Sequence, residues 1–152
     1  MKNILKTIVT AIFTGIFTIA ANAQNEYYLE GLKYFNLNEY TAAKAQFIKA
    51  LEVDSTAKND AAFYYLARIA MTERSYDNAE KLLLRAIEKD SVNTTYKETL
   101  AQIYLAKDNL AMTIEIYDKL VKANPKKINY YYTLAELYIA AKDLPAATRL
   151  IE

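Results

Sequence analysis

The stretch Tyr40-Thr41-Ala42-Ala43-Lys44-Ala45-Gln46-Phe47-Ile48-Lys49-Ala50-Leu51-Glu52-Val53-Asp54 sets Tyr40, Ala43, Phe47 and Ala50 three or four places apart. That spacing puts them on one face of a helix. The register returns downstream at Tyr76, Ala79, Leu83 and Ala86, then at Leu110, Thr113, Tyr117 and Leu120, and again at Leu144, Ala147 and Ile151. Ahead of each such helix stands a small residue, Gly31, Ala67, Ala101 and Ala135, at intervals of 36, 34 and 34. Tyr27, Phe63, Lys97 and Tyr131 lie four places before it, and Tyr34, Ala70, Tyr104 and Tyr138 three places after. A period of this length marks a stack of similar units, each burying its apolar face against its neighbours.

These offsets resemble those of the tetratricopeptide repeat (TPR), a helix-turn-helix of 34 residues. The resemblance covers residues 24 to 152 in four units, 24–57, 58–93, 94–127 and 128–152, the last with an incomplete second helix. It implies an all-α solenoid of antiparallel helix pairs in a right-handed superhelical stack, about three and a half to four repeats long. The small residues fit close helix crossings, where a larger side chain would overpack at about 1–3 kcal/mol. Asn38-Glu39, Ser75, Asp108-Asn109 and Asp143 punctuate the joints as expected caps. Pro145 suits the first turn of a helix, and Pro125 a boundary between units. Ser55 and Ser91 mark the same turn into the next unit, and the two extra residues of the first interval fit the turn from Asp54 to Asn59.

Three departures matter. Glu30 replaces the leucine of Leu66, Leu100 and Leu134, as suits an end unit. Lys97 and Leu120 replace an aromatic and a small residue, so the third unit is expected to pack differently. No polar capping helix follows Glu152, although solenoid ends normally need one. A longer reading frame, pairing of that end with another chain, and fraying of the last helix are the three competing explanations.

Composition agrees with this reading. The 152 residues include two Gly and two Pro, too few for a turn-rich β fold. Cys and His are absent, which removes Cys/His zinc sites, disulfides and nucleophile mechanisms based on Ser-His or Cys-His. Fourteen of the aromatic residues are Tyr, five are Phe and none is Trp. The hydroxyl-bearing ring is therefore the protein's main large packing unit.

Lys2 and Lys6 precede an apolar run from Ile8 to Ala21 and a small-x-small site at Ala21-Asn22-Ala23, ahead of Gln24. This is the pattern of a secretory signal peptide over residues 1–23. The Ala-Asn-Ala-Gln junction resembles exported proteins of the Bacteroidota, and no Cys is present for a lipoprotein anchor. Export to the periplasm or the exterior is expected, with no membrane span after signal removal. An uncleaved inner-membrane signal anchor is the alternative. Loss of Lys2 and Lys6 takes the 19 basic residues to 17, against 18 acidic ones mixed along the chain. No basic stripe remains to track phosphates, so nucleic acid is not an expected partner.

Tyr27, Tyr34, Tyr40, Tyr76, Tyr104, Tyr117, Tyr131 and Tyr138 fall on packing offsets, where a ring lies between helices with its hydroxyl near the surface. Tyr28, Tyr64 and Tyr132 share a different offset on the first helix. In the family that face lines the concave groove. The resemblance adds Phe35, Arg68, Met71, Glu98, Gln102, Leu105, Glu136 and Ile139 to it. Aromatic and aliphatic anchors beside a few polar groups suit a peptide or partner helix. The Lys/Asn/Arg clamp that some relatives use for acidic chaperone tails is missing, since Tyr28, Leu32, Tyr65, Thr95 and Thr99 stand there.

Glu80 and Glu88 near Lys81, Lys89 and Arg85 supply ordinary helix-surface pairs, and no two carboxylates recur as an acid/base pair. Gly31 has a packing explanation, so there is no glycine-rich phosphate loop. The expected function is a non-catalytic scaffold of the bacterial envelope, without metal or cofactor, that binds a peptide or partner helix in its groove. Oligomerisation through the uncapped C-terminal end is a further expectation. The alternative is an N-terminal assembly module of a larger envelope protein whose C-terminal part carries the activity.

Overall fold

The computed structural model describes residues 25–53 and 59–150. The signal segment with Ala21, Ala23 and Gln24, most of the turn after Asp54, and Ile151 lie outside the described residues. The described residues form eight helices and no strand: α1 (25–36), α2 (Tyr40–Val53), α3 (Asp60–Thr72), α4 (Tyr76–Lys89), α5 (Thr94–Ala106), α6 (Leu110–Ala123), α7 (Ile128–Ala140) and α8 (Leu144–Arg149). From α2 onward each helix packs on the next in sequence, as a repeat stack requires.

The recurring register forms the core. Ala43, Phe47, Ala50, Ala79, Leu83 and Ala86 are all buried, and so are Ala67, Ala101 and Ala135 at the crossing position. At Gly31 the crossing is tighter, for a Cβ there would meet Cε1 of Phe47 at 2.7 Å. The first unit therefore combines a glycine with a phenylalanine where the second combines Ala67 with Leu83. One apolar cluster joins Phe35, Ala43, Phe47, Ala62, Leu66 and Ile69, and a larger one runs from α3 to α7. Leu66, Leu100 and Leu134 are buried, whereas Glu30 at the same offset is half-buried and pairs with Lys33 at 3.4 Å. Leu120 is buried in the larger cluster and Lys97 is half-buried.

All four first helices end in one motif. Asn38, Arg74, Asp108 and Lys142 have φ between 55° and 61°, in the left-handed region. The next N–H in each case, from Glu39, Ser75, Asn109 and Asp143, bonds back five residues to the carbonyl of Tyr34, Ala70, Tyr104 and Tyr138 at 2.8–2.9 Å. This is the Schellman closure, made here without glycine. It corrects the expectation for the joints. Asn38 and Asp108 are left-handed closing residues, and the Asn38 side chain accepts from the Tyr40 hydroxyl at 2.9 Å. Ser75 makes no side-chain cap bond. Asn109 and Asp143 do cap, accepting from the N–H of Met112 and Ala146. Pro145 lies in the first turn of α8 and Pro125 in the turn between α6 and α7.

Ion pairs tie neighbouring units together. Lys44 on α2 meets Glu73 after α3 at 3.1 Å, and one unit later Glu80 on α4 meets Lys107 after α5 at 2.6 Å. The offsets match and the signs are reversed. Lys107 also reaches Asp77 at 2.8 Å, and its ammonium holds the Asp77 and Glu80 carboxyls below their usual range.

Candidate functional site

The side chains expected in the groove come from α1, α3, α5 and α7, the first helices of the units. The structure divides them into three groups. Tyr64, Arg68, Met71, Glu98 and Gln102 line a depression of about 460 Å³ between α3 and α5, together with Thr72, Thr95 and Thr99. The Thr99 hydroxyl donates to the Thr95 carbonyl and that of Thr72 to the Ile69 carbonyl, so both are satisfied within their own helices. Residues seven places apart on α3 and four apart on α5 share a face, which is why repeat offsets bring them together.

Tyr28 and Phe35 serve the core instead. Phe35 is only 9% exposed, with Tyr65 at 5.0 Å and Tyr40 at 5.6 Å between ring centroids. Tyr28 lies half-buried against Phe47 and Tyr65, and burial raises the pKa of its phenol. The cause is the cluster of large rings where the first two units meet: Phe47 on α2 and Tyr65 on α3 stack nearly parallel at 5.3 Å, and the α1 rings close over them. The third group, Tyr132 and Glu136 on α7, is exposed and lies outside the depression; Tyr132 is 69% accessible. Leu105 and Ile139 are exposed as well.

Arg68 is half-buried on an aromatic floor. Its guanidinium carbon is 4.7 Å from the Phe35 ring centre, 5.7 Å from Tyr64 and 5.8 Å from Tyr65. Such contacts fix the guanidinium plane while leaving its N–H groups open. On the opposite wall, Glu98 accepts from the Tyr130 hydroxyl and pairs with Lys127 at 3.2 Å. That carboxylate joins the depression to the start of α7.

Tyr96 and Tyr130 are the packing tyrosines that the offsets did not single out. They are 5% and 4% exposed, stand 34 residues apart, and reach back to acids on the preceding first helix, Asp60 and Glu98. Tyr104 and Tyr138 make comparable bonds to Glu80 and Asp118 on the preceding second helices. A signal for the Tyr96 and Tyr130 pair was present in their common offset, but Glu26 and Ala62 break it in the first two units.

Among the described residues no group of Asp and Glu converges as a metal site would need, and no helix is long and apolar enough to cross a membrane. A second depression of about 250 Å³, lined by Ile48, Leu51, Phe63 and Arg85 among others, lies beside α2 and α4. There Arg85 stacks on Phe63 at 4.5 Å.

Solved structures share the fold at low identity. MamA is 20% identical, with a TM-score of 0.74 over 91% of this chain and 80% of its own. A tetratricopeptide repeat protein from Parabacteroides merdae gives 18% and 0.78 over 85% of this chain, which spans 51% of that one. The first TPR of Spaghetti (RPAP3) bound to the HSP90 peptide SRMEEVD gives 16% and 0.68, over 80% of this chain and 97% of that one. No curated protein sequence matches the chain. Two family models, both described as tetratricopeptide repeat, match residues 28–94 and 96–127, which together make up more than half of the sequence. With its helix order, its buried repeat offsets and these matches, the chain belongs to the tetratricopeptide repeat family.

Proposed function

We propose that this protein is a non-catalytic interaction scaffold of the bacterial envelope that binds an extended peptide or a helix of a partner protein on its first-helix face. The observation that carries the reading is the depression between α3 and α5, where five side chains from repeat offsets surround about 460 Å³ of open space. Its mixture of Tyr64, Met71, Arg68 and Gln102 offers apolar contact with a few orienting polar groups, the usual make-up of a peptide site. The peptide held by the first TPR of Spaghetti (RPAP3) supports the same use of the fold. Tyr132, Glu136 and Ile139 on α7 extend the surface in the direction of the stack. The envelope assignment rests on the signal-like segment before Gln24.

Crosslinking of the tagged full-length protein in its native envelope, followed by identification of the captured proteins, tests the scaffold reading. The triple variant Met71→Ala, Gln102→Ala, Tyr132→Ala is expected to lose the captured partner while keeping its helical circular dichroism. Tyr28 is left intact, because it packs against Phe47. Unchanged capture by the variant would remove the face from consideration. Amino-terminal sequencing of the protein from cell fractions tests export, with Gln24 as the expected first residue.

A further inference from the structure

Arg68, like Arg85 over Phe63, is held by aromatic contact, and it is Arg68 that lines the depression between α3 and α5. Lys44, Lys107 and Lys127 each meet a carboxylate, whereas Arg68 has only aromatic faces around it, with no carboxylate and no hydrogen-bond acceptor among the described residues. Its half-burial and three-ring contact hold the guanidinium at the edge of the depression with its donors unused. The carboxylate that could have matched it, Glu98, is already engaged by Tyr130 and Lys127. The unmatched charge of the depression is therefore positive.

We infer that the depression between α3 and α5 binds an extended segment of a partner protein through an acidic side chain on Arg68, with a neighbouring apolar side chain seated on Tyr64 and Met71. The inference rests on the reading of this face as a binding site. A carboxylate accepts two parallel N–H bonds from a guanidinium, and an already oriented guanidinium loses little freedom on binding. A basic ligand residue would meet Arg68 as a like charge and would have to compete with Lys127 for Glu98. The missing Lys/Asn/Arg clamp, replaced by Tyr28, Leu32, Tyr65, Thr95 and Thr99, leaves one anchoring cation. One cation suits a single acidic side chain within a segment better than a cluster of carboxylates at a chain end.

The test is selection of random twelve-residue peptides, displayed as amino-terminal fusions without a free terminal carboxylate, on the full-length protein. The expected result is enrichment of Asp or Glu beside Leu, Ile, Phe or Met. Binding of a synthetic selected peptide should fall about tenfold or more in Arg68→Met, which keeps an apolar stem over Phe35, with helical circular dichroism unchanged. Added salt should weaken binding to the native protein and have little effect on the variant. Peptides without an acidic preference whose binding is lost in Tyr64→Ala and Met71→Ala would overturn the role of Arg68 while keeping the site. Selected peptides indifferent to all three variants would overturn the inference together with the site itself.

Discussion

The Tyr96 hydroxyl donates a 2.7 Å hydrogen bond to Oδ2 of Asp60, linking the first helix of the third unit to that of the second. The ring is buried and stands 5.0 Å from that of Tyr64. Replacing it as Tyr96→Phe keeps the ring contact and leaves Asp60 without this donor. The expected cost is about 1.5–3 kcal/mol, the range for a hydrogen bond to a charged group. Urea unfolding followed by circular dichroism checks it, and an unchanged midpoint would mean that water replaces the hydroxyl without loss.

Alkaline pH acts on the same class of bonds. Burial, with Asp60 next, pushes the Tyr96 phenol well above the usual tyrosine range. Burial also raises Tyr104 and Tyr138, which are further raised by Glu80 and Asp118. A group whose pKa is raised on folding binds its proton more tightly in the folded state, so its stabilising contribution is complete below about pH 10 and fades as pH climbs above it. Stability should therefore decline from about pH 10 upward, with a subset of phenols ionising only as the helices melt. Absorbance of phenolate recorded alongside helical circular dichroism tests this. Titration of every tyrosine near pH 10 with the helices intact would refute it.

Gly31 faces Phe47 at the crossing of the first unit. Gly31→Ala adds a methyl 2.7 Å from Phe47, a ring that is fully buried and stacked on Tyr65 and so has no free direction in which to move. Overpacking of about 1–3 kcal/mol opposes a helix-propensity gain of about 1 kcal/mol, so a net loss of up to about 2 kcal/mol is expected. The double variant with Phe47→Leu recreates the Ala67 and Leu83 combination of the second unit. It should recover part of the loss in a thermal melt.

Arg74 and Lys142 close their helices at φ 55° and 61°. The left-handed region costs a residue with a Cβ about 1–2 kcal/mol, which glycine avoids at some entropic expense. Arg74→Gly is expected to stabilise the chain by about 0.5–1 kcal/mol, a rise visible in the urea midpoint. A fall would show that the Arg74 side chain contributes more than its backbone strain costs.

Lys44 with Glu73 and Glu80 with Lys107 give the first two unit boundaries opposite sign orders. Lys44→Glu alone should destabilise slightly, and adding Glu73→Lys should restore stability, with a coupling of about 0.2–1 kcal/mol for this exposed pair. A double-mutant cycle at low salt measures it, and zero coupling would remove the pair as a determinant of register.

The helix stack was legible in the sequence because close crossings impose residue size at fixed intervals: Gly31, Ala67, Ala101 and Ala135 recur, and so do the partners of Ala43 and Phe47. Such constraints are local to a unit and repeat with it. The division of the first-helix face was not legible, since half-buried Tyr28 shares its offset with Tyr64 and buried Phe35 shares its own with Met71. Whether a ring is buried or lines a depression depends on what the neighbouring unit sets beside it. Phe47 and Tyr65 draw Tyr28 and Phe35 into the core, while Thr95 and Thr99, being small, leave space before Tyr64 and Met71. The sequence by itself determined the fold as a stack of similar helix pairs and the small residues at its crossings. Only the tertiary structure decided that Tyr96 and Tyr130 bind acids of the preceding unit, that Glu98 is engaged, and that Arg68 is not, because these pairings join residues 32 or 36 positions apart or depend on a third side chain.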